Sequence, residues 1–336
     1  MSNNINRQWK LSARPTSLVT PDVLQLSESP LPALEDGQAL ARVKYLSVDP
    51  TMRVWMADIP QYMPPVQIGE VMRAFGLAEV TESRRPDFKK GDKVMGLTGL
   101  QEYILITGKE TRAFQKLPSL PFLSDTAFLG TLGINGLTAY FGLLEVGKPQ
   151  AGETLVVSAA AGATGSIAGQ LGKIHGCRVV GIAGSDEKCT WIKDELGFDA
   201  AINYKLPHWR ENLAVATPNG IDIDFENVGG EIMQAVLSRM NLHGRVVLCG
   251  LISGYTSQDP ALASFGQIII KRLRVEGFLI LDYASKFMEA GKQLGMWKMM
   301  GKLKDKQTLL KGLEKAPEAI NMLFQGSNTG KLIVEL

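Results

Sequence analysis

The chain has 336 residues, 45% of them hydrophobic, and a net charge of +2 from 36 basic and 34 acidic side chains. That is material for two domains with real cores. The near-balance of charge excludes a nucleic-acid binder or a charge-driven membrane-surface protein, both of which need a basic excess. No apolar run reaches the ~20 residues that span a bilayer. Residues 1–10 (MSNNINRQWK) lack the apolar stretch of a signal peptide. Three widely spaced cysteines, Cys177, Cys189 and Cys249, argue against a disulfide framework and for the cytoplasm.

The early segments are short and turn-rich. Residues 40–46 (LARVKYL) alternate weakly until Asp49-Pro50, and Pro60, Pro64 and Pro65 mark a loop. Residues 78–82, 93–97 and 103–107 are further short strand candidates, so the spacing predicts a compact β-rich domain. From Gly130 the rhythm changes. Strands are expected at 154–160, 178–183, 200–204, 221–225, 245–249 and 274–280. Helices are expected at 166–175, 187–196, 231–240, 264–273 and 285–300. Apolar strands alternating with helices imply a parallel sheet covered on both faces, and six strands fit the doubly wound dinucleotide fold. The strand at 274–280 comes last and should form an edge that invites pairing. The final run 331–336 (KLIVEL) follows a turn, 326–330 (GSNTG), and is expected to return to the first domain.

Within the alternating region, Ala160-Ala-Gly162-Ala-Thr-Gly165 closes a strand and opens a helix. It is an AxGxxG variant of the dinucleotide fingerprint. Ala160 takes the tight-turn position, Gly162 lets backbone approach a pyrophosphate, and Gly165 lets helix pack on strand. The bland alternative is a small-residue turn with no ligand. An NAD site usually carries an acid at the end of the second strand, but here that strand ends Ala183-Gly184-Ser185. Ser185 is a plausible N-cap, and Lys188, one turn on, could reach a ribose phosphate. Asp186 keeps the opposite reading open, since its carboxylate could take a ribose hydroxyl.

The first domain, to Gly130, contains neither cysteine nor histidine, and His175, His208 and His243 stand at isolated positions. Metal ligation therefore has no donor set, and no hydrolase nucleophile motif is present. Trp55, Tyr62 and Met63 are either a pocket wall or ordinary loop packing. Met296–Met300 with Trp297 reads as core filler more than as a pocket. Lys302, Lys304 and Lys306 read as a solvated face.

The segments 46–53 (LSVDPTMR), 136–170, 184–189 (GSDEKC), 223–230 (IDFENVGG), 249–255 (CGLISGY), 276–280 (EGFLI) and 326–331 (GSNTGK) occur together and in order. With them the chain resembles the medium-chain dehydrogenase/reductase superfamily. The likeness is to its zinc-free branch of leukotriene B4 dehydrogenase/prostaglandin reductases, alkenal double-bond reductases and bacterial curcumin reductase. The resemblance implies an α/β fold with a Rossmann doubly wound sheet at 129–300. It adds a β-rich, GroES-like substrate domain at 1–128 and 301–336. It implies NADPH as cofactor, no metal, a small enone or enal substrate, and a cytoplasmic homodimer. By similarity Ala163, Thr164, Gly165 and Ser166 hold the pyrophosphate. Lys188 and Tyr204 face the adenosine 2′-phosphate. Asn227, Cys249, Gly250, Leu251, Ile252, Ser253, Tyr255, Phe278, Leu279, Ile280 and Asn328 line the rest. Tyr255 is either a catalytic phenol donating to the substrate carbonyl or a loop tyrosine packing on the cofactor.

Three positions depart from the family pattern. Thr51 stands where the family often has Tyr, Ile134-Asn135 where it often has Met-Pro, and Thr256 where Asn usually follows the tyrosine. The leading expectation is NADPH-dependent reduction of the C=C bond of α,β-unsaturated ketones and aldehydes. A quinone reductase and a non-catalytic NADPH-binding protein are the alternatives.

Overall fold

The computed structural model describes residues 5–59, 61–109, 114–118, 123–256 and 265–336. Residues 1–4, Pro60 and Ser264, each part of a feature read above, lie outside them. The chain gathers into two units: residues 1–129, 308–327 and 332–336, and residues 130–307 and 328–331.

In the first unit β1 (Ile5–Leu11) and β2 (Leu24–Pro30) form an antiparallel ribbon. The main sheet is built on β3 (Ala39–Ser47). One edge of β3 pairs with β4 (Phe75–Ser83), which continues to β5 (Lys93–Leu97). The first half of the other edge takes β6 (Tyr103–Ile106), and β7 (Gln115–Lys116) ends the row beyond β5. Ala39, Ala41 and Val43 point inward with period two, and Leu46 is buried after a register shift between Val43 and Tyr45. The bulge explains why a simple alternation reads only weakly in this strand.

The short helix α1 (Thr51–Trp55) follows, and its Met52 and Trp55 enter the core. Arg53 of α1 is buried and donates to the carbonyls of Pro15 (2.7 Å) and Ser17 (3.0 Å). It ties down a loop that carries no ladder bonds, and burial pushes its pKa down.

The second unit begins with α2 (Ile134–Phe141), which runs on as a wider π-helical turn, Gly142–Gly147. Then strands and helices alternate: β8 (Thr154–Val157), α3 (Ala163–Ile174), β9 (Arg178–Ala183), α4 (Asp186–Thr190), β10 (Ala200–Asn203) and α5 (Trp209–Ala216). The second half adds β11 (Ile221–Glu226), α6 (Gly230–Arg239), β12 (Met240–Leu248), α7 (Phe265–Lys271), β13 (Arg274–Gly277) and α8 (Phe287–Met299). The six strands are parallel in the order β10-β9-β8-β11-β12-β13. This is the doubly wound dinucleotide order, with direction reversing between β8 and β11. All four residues of β8 are buried, as a central strand covered on both faces requires. The edge expected for the 274–280 strand is where β13 lies.

Several boundaries differ from the sequence expectation. The strand at 154–160 stops at Val157, and the 274–280 strand stops at Gly277, where a 3₁₀ stretch, Ile280–Lys286, takes over. The helix at 187–196 is α4 followed by a π-helical turn, Trp191–Glu195. Met296, Met299 and Met300 are 45%, 67% and 61% exposed, so the methionine run is not core filler. Trp297 turns inward, edge-on to His175 with centroids 6.1 Å apart.

The chain then forms β14 (Gln307–Lys311), α9 (Ala316–Gln325) and β15 (Lys331–Glu335). β15 pairs antiparallel with the second half of β3 (Ile333 opposite Ser47), as the expected return of the C-terminal strand to the first domain requires. Ala316, Ala319 and Ile320 of α9 complete the first unit's core.

Candidate cofactor site

The carboxyl ends of β8 and β11 mark the switch point of the second unit, where an open α/β sheet leaves a crevice. After Val157 the chain makes a tight turn whose strain falls on Ala159, a non-glycine residue at φ +47°. The tight-turn role given to Ala160 thus belongs one residue earlier. An L-residue held in that region costs about 1–2 kcal/mol, and the Gly162 N–H donating to the Ala159 carbonyl (2.9 Å) helps hold it. A Cβ on Gly165 would lie 2.5 Å from that same carbonyl oxygen. Helix and strand therefore meet at the closeness the fingerprint glycine permits. Gly162 is the N-cap of α3 and supplies no side-chain cap, so the first N–H groups of this helix, from Ala163 on, suit an anionic group.

The C-terminal turn docks on this glycine stretch. Gly330 N–H donates to the Ala161 carbonyl (2.8 Å), and Gly330 and Gly162 form a parallel bridge. Gly330 adopts φ +68°, and a Cβ there would fall 1.9 Å from the Lys306 carbonyl oxygen. Asn328, buried, donates to the Gly330 carbonyl (3.0 Å) and is thereby brought to the turn. On the other side Asn135 of α2 donates to Thr164 Oγ1 (3.4 Å). Asn135 is one of the departures from the family pattern, and its contact with this turn had no signal beyond that departure.

At the end of β9 Ser185 caps α4, its Oγ accepting from Lys188 N–H (3.3 Å), as its residue type predicts. The side chains of Tyr204 and Lys205 both lie beside Gly184. A Cβ there would lie 3.2 Å from Tyr204 Cε1, 3.3 Å from the Tyr204 hydroxyl and 3.4 Å from Lys205 Cε. Lys188 is half-buried, and burial first, then the charge of Lys205, lowers its pKa, with Glu187 opposing. The structure thus gathers Lys188 and Tyr204 at one end of the site and adds Lys205, which the sequence reading did not single out.

Beneath the crevice two carboxyl groups on β11 are fully buried: Asp224 and Glu226. Glu226 Oε1 accepts from Ser158 Oγ (2.6 Å), Val228 N–H (2.5 Å) and Gly229 N–H (2.9 Å). It shapes the loop that carries Asn227, whose own side chain donates to the Ser158 carbonyl (2.7 Å). Both Asp224 carboxyl oxygens are buried without a hydrogen-bond partner. Burial, then the nearness of Glu226, raises the Asp224 pKa well above the ordinary carboxylate range. Burial likewise raises Glu226, against its hydrogen bonds.

The loop after β12 packs on the loop after β11. Ile252 N–H donates to the Asn227 carbonyl (3.1 Å), and Ser253 N–H to that of Val228 (3.0 Å). This places Cys249, Gly250, Leu251, Ile252, Ser253 and Tyr255 along the same end of the sheet. Burial and Glu226 push the Cys249 thiol up to about 12, so it stays neutral. Tyr255 folds back over its own loop. Its hydroxyl oxygen accepts from Leu251 N–H (3.4 Å) and lies 3.4 Å from where a Gly250 Cβ would be. Leu279 and Ile280 follow β13, while the Phe278 ring packs against Gly142, 2.5 Å from a Cβ there.

Two family models match this chain, one described as the N-terminal domain of oxidoreductase over residues 7–114 and one as zinc-binding dehydrogenase over residues 163–294. The NADPH-dependent curcumin reductase of Escherichia coli (strain K12) is 40% identical over 340 residues, covering 98% of this chain and 97% of that protein. The chain belongs to the medium-chain dehydrogenase/reductase superfamily. It is an oxidoreductase of the branch that contains the curcumin, alkenal and prostaglandin reductases. The 2-alkenal reductase (NADP(+)-dependent) of Nicotiana tabacum is 42% identical over 296 residues, 86% of this chain and 84% of that protein. The crystal structure of CurA in complex with NADPH from Vibrio vulnificus superposes with a TM-score of 0.92 at 41% identity, with 98% of each chain covered. Although the dehydrogenase model carries zinc in its description, no group of three or more His, Cys, Asp or Glu among the described residues could hold a metal ion. No helix of the described residues is long and apolar enough to cross a membrane.

Proposed function

We propose that this enzyme reduces the C=C bond of α,β-unsaturated ketones and aldehydes with NADPH, and that Tyr255 stabilises the enolate that forms. The observation that carries the reading is the pairing of near-full-length likeness to NADPH-dependent enone and enal reductases with a dinucleotide crevice whose far end gathers Lys188, Tyr204 and Lys205. The cofactor fits the residues present. A glycine turn with no room for a Cβ and an uncapped helix N-terminus match a pyrophosphate, and the cationic side chains Lys188 and Lys205 match a 2′-phosphate.

When bound, the reduced nicotinamide supplies a hydride to the β-carbon. The chain's own part is to hold the reactants and to meet the negative charge that appears on the carbonyl oxygen. A phenol with an ordinary pKa near 10 is protonated at neutral pH and can donate there. The N–H of Leu251 aimed at the Tyr255 oxygen strengthens that donation, because an accepted hydrogen bond polarises the O–H. In this reading the first unit is the substrate domain, and the enzyme is a cytoplasmic homodimer joined along β13.

The test is NADPH oxidation with an enone, an alkenal, a quinone and a saturated ketone, each repeated with NADH. Turnover of the enone and alkenal to saturated products, with NADPH preferred, is the expected result. Turnover of the quinone alone would replace the reading with a quinone reductase, and tight NADPH binding with no turnover would replace it with a non-catalytic binder. A monomer in light scattering at micromolar concentration would remove the dimer.

A further inference from the structure

We propose that Asn203 and Lys205 set the choice of cofactor: Asn203 holds the Asp186 carboxylate aside, and Lys205 joins Lys188 as a second cation for the adenosine 2′-phosphate. The inference deepens the function proposed above and rests on its assignment of NADPH.

Asp186 is the acid nearest the end of β9, the place from which a carboxylate would take a ribose diol and repel a 2′-phosphate. Its Oδ1 accepts from Asn203 Nδ2 at 2.8 Å. Asn203 is the last residue of β10 and lies opposite Ala183, the last residue of β9, in the parallel ladder. The other end of the same amide is also engaged, because Asn203 Oδ1 accepts from Lys205 N–H at 3.1 Å. One side chain therefore fixes two things at once: where the acid points and how the chain turns into Tyr204-Lys205. Tyr204 N–H donates to the Ala183 carbonyl (3.1 Å), which anchors that turn to β9.

The turn lays Tyr204 and the Lys205 stem beside Gly184, where a Cβ would already touch both at 3.2–3.4 Å. The Lys188 ammonium, half-buried, feels Lys205 as a like charge, with Glu187 opposing. A like charge disfavours each ammonium, and an added anion favours both. A phosphate monoester, with roughly 1.5 to 2 negative charges near neutral pH, relieves both at once. A ribose hydroxyl would relieve neither. Asn is neutral, so it restrains Asp186 without cancelling the positive charge that the phosphate needs.

The experiment is calorimetric binding of 2′,5′-ADP and 5′-AMP to the full-length wild type, Lys205→Ala, Asn203→Ala and Asn203→Ala/Asp186→Ala. Wild type is expected to favour 2′,5′-ADP. Lys205→Ala should lose about tenfold on that ligand, the scale of one hydrogen bond to a charged group, and keep its affinity for 5′-AMP, which also reports an intact fold. Asn203→Ala should lose a similar factor through the released carboxylate. Removing that carboxylate in the double variant should recover the part of the preference that the carboxylate cost, which a merely structural role of Asn203 would not do. If wild type shows no preference for 2′,5′-ADP, the NADPH assignment itself falls. If wild type shows it and Lys205→Ala and Asn203→Ala both leave the preference unchanged, or the double variant recovers none of it, the roles given to Lys205 and Asn203 fall.

Discussion

Adding a single methyl group at Gly165 should damage both the stability of the second unit and its hold on the dinucleotide. In Gly165→Ala the new Cβ would stand 2.5 Å from the Ala159 carbonyl oxygen, 0.9 Å inside the 3.4 Å at which ordinary contact begins, and 3.1 Å from Ala160 Cα. Both neighbours are backbone, so relief requires the β8–α3 turn to open rather than a rotamer to change. Forcing a methyl into such a contact costs about 1–3 kcal/mol. At about 2–4 °C per kcal/mol for a unit of this size, the melting temperature should fall by roughly 2–12 °C. With the pyrophosphate at the α3 N-terminus, as proposed, the same opening tilts the N–H groups away from it, so the stabilisation that added NADP⁺ gives should shrink as well. Thermal denaturation with and without NADP⁺ measures both effects. Gly291→Ala is the control, because it lies within α8 with nothing inside 4 Å of its Cβ position. Ala there should raise stability by about 0.5–1 kcal/mol. If Gly165→Ala melts with wild type and keeps the full NADP⁺ response, the close helix–strand approach is not what the glycine provides.

Three further outcomes follow from the same geometry. Gly330→Ala should destabilise, since residue 330 combines φ +68° with a Cβ position 1.9 Å from the Lys306 carbonyl oxygen, and denaturant midpoints should show the loss. Asp224→Asn should change the pH profile of stability. The folded state holds the Asp224 proton to a higher pH than the unfolded chain, whose carboxyl ionises near about 3.9, so wild-type stability falls as pH rises above that value toward the raised folded pKa. The neutral amide removes this term, and melting curves across the acid-to-neutral range should diverge in the variant's favour as pH rises; parallel curves would refute the protonated carboxyl. Tyr255→Phe should lower enone turnover by about 10²–10³-fold, the usual scale for one donor to a developing oxyanion, while leaving the binding of NADP⁺ close to wild type in calorimetry.

The alternating half of the fold was legible because its strands are uniformly apolar and its turns are marked by glycine. The sheet order and the edge position of β13 follow from that pattern. The first unit was read less completely. β1 (INRQWKL) and β2 (LQLSESP) carry mostly polar residues, since a two-stranded ribbon buries few of them, and no periodicity announces them. β3 reads only as a weak alternation because of its bulges. At the site the glycines, Lys188 and Tyr204 were legible from local pattern and family likeness. Lys205, Asn203 and Asn135 were not, because each acts through a contact made only when distant elements meet: β10 with β9, and α2 with α3. The buried pair on β11 was equally hidden, since Asp224 and Glu226 in IDFENVGG look like alternating surface acids until β8 and β12 flank them.

The most direct test of the proposed activity follows the hydride itself. The enzyme is given NADPH deuterated at the transferable position together with an acyclic enone, and the product is examined by NMR. The account predicts a saturated ketone with deuterium on the β-carbon and a solvent-derived proton on the α-carbon. Deuterium on a carbinol carbon, with the C=C bond intact, would make the enzyme a carbonyl reductase and would contradict the account.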